Sequence, residues 1–117
     1  LDLSSLHCLL CGAEPIKPTT LTRFSTALAV AGLAPEALTP AYGLAEATLC
    51  LTARPPGEPW RVFTLDRTTL HLGAAVAEAA DGLALVGVGV PLSGVAIRIV
   101  DDAGEPVADG IVGEIEM

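Results

Sequence analysis

The sequence predicts an α/β segment, strand then helix then strand, followed by a mainly antiparallel, barrel-like β unit. Three observations carry this. Residues 6–11 form a short apolar run that stops at Gly12; Leu21, Phe24, Leu28 and Ala31 recur at helical spacing; and from Val95 onward apolar residues alternate at the period of a strand. The 117 residues are 51% hydrophobic and only 3% aromatic, which supplies aliphatic core material and excludes a disordered chain.

Taken in order, the run 6–11 reads as a buried strand of a sheet covered on both faces. Its carboxyl end delivers Gly12, Ala13 and Glu14, and ligands gather beyond strand carboxyl ends in open α/β sheets. An ordinary strand-to-helix loop is the plainer alternative. Cys8 and Cys11 are three apart on that strand, so they face opposite sides and cannot join. With Cys50 isolated and no His pair at zinc-ligand spacing, buried, reduced, structural cysteines are expected. Thr19 or Thr20 is positioned to cap the helix, and Gly32 to stop it. Pro35 and Pro40 bracket a connection, residues 39–42 read as a second strand, and residues 44–51 begin a helical turn with Glu46 near its amino end.

The proline-rich stretch 54–59 cannot continue a helix or lie inside a central strand, so a boundary falls there. Residues 60–65 alternate like a strand, Asp66 and Arg67 offer a turn, and residues 70–76 are the expected returning arm. His71 sits between Leu70 and Leu72, where a lone histidine is a structural residue before it is a ligand or base. Residues 83–90 are β-prone, with Gly87 and Gly89 marking a bend or a close backbone contact. Val95, Ile97 and Ile99 alternate with Ala96, Arg98 and Val100 as a half-buried strand, and residues 101–106 make a turn. Ile111, Gly113, Ile115 and Met117 form one face of a last strand, with Glu114 and Glu116 on the other. The organisation expected is 1–52 as the end of an α/β subdomain, 53–80 as an inserted hairpin and 81–117 as a β-rich subdomain.

Charge narrows the function. A net charge of −8 with no Lys/Arg cluster excludes nucleic-acid binding. Apolar runs such as 82–92 are too short for a membrane span, and residues 1–12 lack the basic start of a signal peptide, so a cytoplasmic protein is the default expectation. A start at Leu1 and an end inside an apparent strand lead us to expect a piece of a longer chain.

The chemistry concentrates at residues 40–49, which set an aromatic ring, a glycine and a carboxylate within five residues. A flat ring such as Tyr42 stacks on a base, Gly43 lets backbone approach a ligand closely, and Glu46 is a hard oxygen ligand suited to Mg2+ beside phosphates. Each has a plainer reading: Tyr42 as a core plug, Gly43 as a turn, Glu46 as a solvated helix residue.

Read as a word, Tyr42-Gly43-Leu44-Ala45-Glu46-Ala47-Thr48-Leu49 resembles the Tyr-Gly-x-(Thr/Ala)-Glu motif of the adenylate-forming superfamily, and the Ala45 form is similar to the fatty acyl-AMP ligases. Gly12-Ala13-Glu14-Pro15-Ile16 resembles that family's adenine-side segment. Residues 90–101 and 110–115 are similar to its β subdomain, and residues 55–78 to the insertion characteristic of fatty acyl-AMP ligases. Where relatives often have Ser-Cys-Gly, this chain has Gly87-Val88-Gly89. It also lacks a Gly/Ser/Thr-rich phosphate loop, a hinge aspartate and a carboxy-terminal lysine domain.

The resemblance implies a fragment of an adenylate-forming N-terminal domain, inactive alone. Its parent would use ATP and Mg2+ to convert a fatty acid to an acyl-adenylate and pass the acyl group to an acyl carrier protein. It further implies that Tyr42 stacks on adenine, that Gly12, Ala13 and Glu14 line the base with Gly43, Leu44 and Ala45 completing the nucleotide site, and that Glu46 holds Mg2+ as the catalytic carboxylate. Two alternatives stand beside it. One is an acyl-CoA synthetase or amino-acid adenylation domain; the other is a non-catalytic remnant that serves as an interaction module.

Overall fold

The computed structural model describes residues 1–47 and 49–117. Two units divide the chain. One comprises Leu1–Val62 with Leu85–Leu92, the other Phe63–Ala84 with Ser93–Met117.

The first unit is built on β1 (Leu9–Cys11), α1 (Pro18–Ala29), β2 (Leu38–Tyr42), β3 (Thr52–Ala53) and, arriving later in the chain, β6 (Val90–Pro91). The strands form a four-stranded sheet in the order β1-β2-β3-β6. β1 runs parallel to β2, with Cys11 opposite Pro40. β2 is antiparallel to β3, with Tyr42 opposite Thr52, and β3 is antiparallel to β6. The parallel pair requires a crossover, and α1 supplies it.

Packing explains which residues seat this unit. Leu21 from α1, Leu33 after it, Leu38 and Pro40 from β2 and Leu51 before β3 are all buried. Each buried leucine contributes about 2 kcal/mol of transfer free energy. The expected threonine cap is not used. Lys17 occupies the cap position with no side-chain bond, and Pro18 starts the helix because its fixed φ and missing N–H suit the first turn. Gly32 follows the helix end in the left-handed region, at φ 82°.

Two expectations are corrected on β1. The strand is shorter than residues 6–11, and Leu10 is 61% exposed, so the sheet is not covered on both faces here. Among the described strands β1 lies at the edge of the sheet. The three cysteines are free as expected, but Cys8 is exposed and Cys11 and Cys50 are only half-buried. The Cys8 thiol lies 3.5 Å from Thr39 Oγ1.

β4 (Val62–Leu65) and β5 (Leu83–Val86) make a two-stranded sheet. The second unit holds β7 (Arg98–Val100) and β8 (Glu114–Glu116), an antiparallel pair with Ile99 opposite Ile115. Asp66 caps a 3-10 turn at Arg67–Thr69 by accepting from the Thr68 amide. Asp101 organises the turn after β7 by accepting from the Ala103 and Glu105 amides at 2.9 and 3.0 Å.

The returning arm differs from expectation. Residues 77–79 bond back to residues 64–66, whereas Gly73, Ala74 and Val76 exchange backbone bonds with residues 110–112. In the last strands packing decides which face is covered. Val100 is the buried residue of β7, while Ile99 and Ile115 are 38% and 45% exposed and Glu116 is turned to meet Arg98 at 2.8 Å. Strict alternation fixes two faces but does not say which one is covered. The described strands form open sheets of four, two and two strands, with no closed barrel among them.

Candidate nucleotide site

The site follows from the β1-β2 register. Because the two strands are parallel and Cys11 is level with Pro40, their carboxyl ends release Gly12-Ala13-Glu14 and Tyr42-Gly43-Leu44 side by side. The fit at that point is tight. A Cβ on Gly12 would lie 2.7 Å from the Ala41 carbonyl oxygen, inside any normal contact. Gly43 is equally constrained, since a Cβ there would collide with the Leu49 carbonyl.

The loop leaving Tyr42 is held at both ends. The Leu51 amide donates to the Tyr42 carbonyl at 2.8 Å, and the Ala47 and Leu49 amides donate to the Leu44 carbonyl at 3.2 and 3.1 Å. The predicted helical turn over 44–51 is realised as one 3-10 turn at Ala45–Ala47. Thr48, within that prediction, lies outside the described residues.

Two concavities share Ala13, Ala41, Tyr42 and Gly43 as walls. The first, of about 380 Å³, adds Glu14, Pro15 and Ile16 on one side and Leu85, Val86 and Val88 on the other. The second, of about 600 Å³, adds Leu10, Gly12, Leu44, Ala45, Leu49 and Cys50. Both walls are predominantly aliphatic around one aromatic ring, with Glu14 as the charged member. Such surfaces accept flat or chain-like apolar groups, with a few polar atoms setting orientation.

Of the residues singled out from sequence, Gly12, Ala13, Glu14, Tyr42, Gly43, Leu44 and Ala45 are therefore brought together around these concavities. Glu46 is not among the lining residues of either; it stands exposed on the 3-10 turn beside them. A single exposed carboxylate suits Mg2+ that keeps most of its ligands from water and substrate phosphates. Among the described residues no cluster of three or more His, Cys, Asp or Glu forms a metal cage.

Sequence reasoning missed one wall of the site and two features of its backbone. The wall at Leu85, Val86 and Val88 arrives from a distant stretch, and no local signal marks it. Gly89, by contrast, was flagged by its glycine: it has φ 85°, and a Cβ there would collide with the Ala53 carbonyl, which lets the chain run close along β3. Ala13 and Leu49 were missed as conformational outliers, with φ 70° and 77°. Both line the larger concavity, and left-handed backbone in residues with a Cβ costs about 1–2 kcal/mol, which the surrounding contacts must offset.

With this geometry in place, comparison with known proteins adds a second line. The family model described as AMP-binding enzyme matches residues 1–117. The chain is 38% identical over 119 residues to the long-chain-fatty-acid–AMP ligase FadD32 of Mycolicibacterium smegmatis, covering 98% of this chain and 19% of that one. It is 36% identical over 118 residues to the medium-chain-fatty-acid acyl-carrier-protein ligase TtuA of Teredinibacter turnerae, covering 98% of this chain and 18% of that one. Among solved structures it is similar to a fatty acyl-adenylate ligase from L. pneumophila in complex with acyl adenylate and pyrophosphate, with a TM-score of 0.83, 36% identity, and coverage of 98% of this chain and 20% of that one. The chain thus spans about one fifth of the length of these relatives.

Proposed function

The chain belongs to the AMP-binding enzyme family, and from that premise we propose that it forms the adenine-side part of a fatty acyl-AMP ligase. The observation that carries this reading is the pairing of the two strand ends: Ala13 and Glu14 after β1 and Tyr42 and Gly43 at the end of β2 wall the same concavity from adjacent parallel strands. The names of the relatives support fatty-acid activation, and that of TtuA supports a carrier protein as acyl acceptor.

In this reading the fatty-acid carboxylate attacks the α-phosphorus of ATP, an acyl-phosphate bond forms, and the bond to pyrophosphate breaks. No side chain of the enzyme needs to act as nucleophile. The work is alignment of two anions and neutralisation of charge at the phosphate. Tyr42 stacks on the adenine, residues 12–14 border it, and Gly43, Leu44 and Ala45 pass beside the nucleotide. Glu46 holds Mg2+, which supplies charge neutralisation at the phosphates when bound. Ala45 has no hydroxyl, so its side chain offers a phosphate no hydrogen bond.

Residues 1–52, 53–80 and 81–117 act as the end of an α/β subdomain, an insertion and a β-rich, barrel-like subdomain of a cytoplasmic parent. The fragment alone is inactive, because it offers base-side contacts without a phosphate loop. The test is made on the full-length protein: ATP-dependent pyrophosphate release should require a fatty acid, and acyl transfer should go to a phosphopantetheinyl carrier in preference to coenzyme A. Release that is independent of fatty acid would contradict activation of that substrate. Equal or preferred transfer to coenzyme A would favour an acyl-CoA synthetase.

A further inference from the structure

Arg54 is 4% exposed, and among the described residues no carboxylate pairs with it. All five of its N–H donors are nevertheless used. Nε donates to the Leu38 carbonyl at 3.2 Å. Nη1 donates to the Pro55 carbonyl at 2.7 Å and to the Glu58 carbonyl. Nη2 donates to the Glu36 carbonyl and, at 3.3 Å, to Thr39 Oγ1. The Arg54 backbone amide adds a bond to the Pro40 carbonyl at 3.1 Å. A buried cation held only by neutral oxygens keeps them in place because each is needed to offset its lost hydration.

The acceptors fall on two stretches of chain. Glu36, Leu38, Thr39 and Pro40 lead into and along β2, whose last residue is Tyr42. Pro55 and Glu58 belong to the proline-rich turn that opens the segment resembling an insertion. We infer that Arg54 is a positioning residue that ties this turn to β2 and thereby fixes the carboxyl end of β2, so that Tyr42 stands at the height nucleotide binding requires. Arginine alone suits the role. Lysine brings the same charge but three donors on a point-like head, and cannot span acceptors on both stretches in one plane. The inference rests on the proposed adenylation activity for its kinetic readout only.

The experiment compares full-length wild type with Arg54→Gln and Arg54→Lys, with rates scaled to the fraction of each protein that shows a cooperative thermal transition. Both variants should raise KM for ATP about tenfold or more, the scale of a displaced substrate-positioning group, while KM for the fatty acid stays within a factor of about two. A role confined to stability would lower the folded fraction and leave KM for ATP unchanged, which would overturn the inference. Should Arg54→Gln not fold, Arg54→Lys carries the same comparison. A wild-type protein that forms no acyl-adenylate would overturn the functional reading instead. Amide exchange then decides the clamp: faster exchange at residues 38–42 together with 55–58 in Arg54→Lys supports it, and unchanged exchange at 38–42 overturns it.

Discussion

Gly12 sets its bare α-carbon against the carbonyl of Ala41, so close that an added Cβ would be 2.7 Å from the oxygen. This contact joins two motifs that lie far apart in the chain and holds the strand ends at the separation that shapes both concavities. The obstacle is backbone, which cannot rotate away as a side chain can. Gly12→Val in the full-length protein should therefore cost about 1–3 kcal/mol, the usual cost of overpacking. Chemical denaturation measures it, and an unchanged midpoint would mean that the strands part without penalty.

Glu46 presents a different expectation, because it stands exposed beside the concavities and does not line them. Replacing it should spare folding and strike catalysis. Glu46→Gln in the full-length protein is expected to slow fatty-acid-dependent pyrophosphate release by about two orders of magnitude, the scale of losing one preorganised charge-stabilising group. Wild-type rates in that variant would make Glu46 a solvated turn residue and nothing more.

Acid should act on the turn after β4. The Asp66 carboxylate accepts from the Thr68 amide and from Thr68 Oγ1, both at 2.8 Å, and these bonds, the backbone one first, hold its pKa below the usual aspartate value. The folded state thus binds the proton less tightly than the unfolded chain. The contribution of the cap is fully present above the usual aspartate value and is lost as pH falls through the lowered one. Carbon-13 titration of the Asp66 carboxyl should give a midpoint below that of an unstructured aspartate. A midpoint at the ordinary value would show that the Thr68 bonds do not persist in solution.

These expectations separate what was legible in the sequence from what was not. The end of β1 was readable because an apolar run stopping at Gly12 is a local signal, and Gly12 and Gly43 both mark close backbone contacts of the site. The bend at Gly89 was readable for the same reason. The helix start was misread, because threonine hydroxyls compete with Pro18, whose ring already has the φ the first turn needs. Which faces of β7 and β8 are covered was not legible, because alternation is symmetric and burial of Val100 over Ile99 is decided by tertiary packing. Arg54 was invisible as anything but a boundary residue. Its partners are backbone oxygens, and a sequence does not display those. The wall at Leu85, Val86 and Val88 was hidden likewise, since it joins the site only through the path of the chain along and just after β5.

The central claim is that Tyr42, which borders both concavities, stacks on the adenine of the bound adenylate. The most direct test is calorimetric titration of the full-length protein with a non-hydrolysable acyl-adenylate analogue, comparing wild type with Tyr42→Phe and Tyr42→Ala. Stacking on a base is worth about 1–3 kcal/mol by alanine substitution. Tyr42→Phe should then bind nearly as wild type, and Tyr42→Ala should bind about tenfold to a hundredfold more weakly. Equal affinity of wild type and Tyr42→Ala, in a variant that melts as wild type does, would contradict the account.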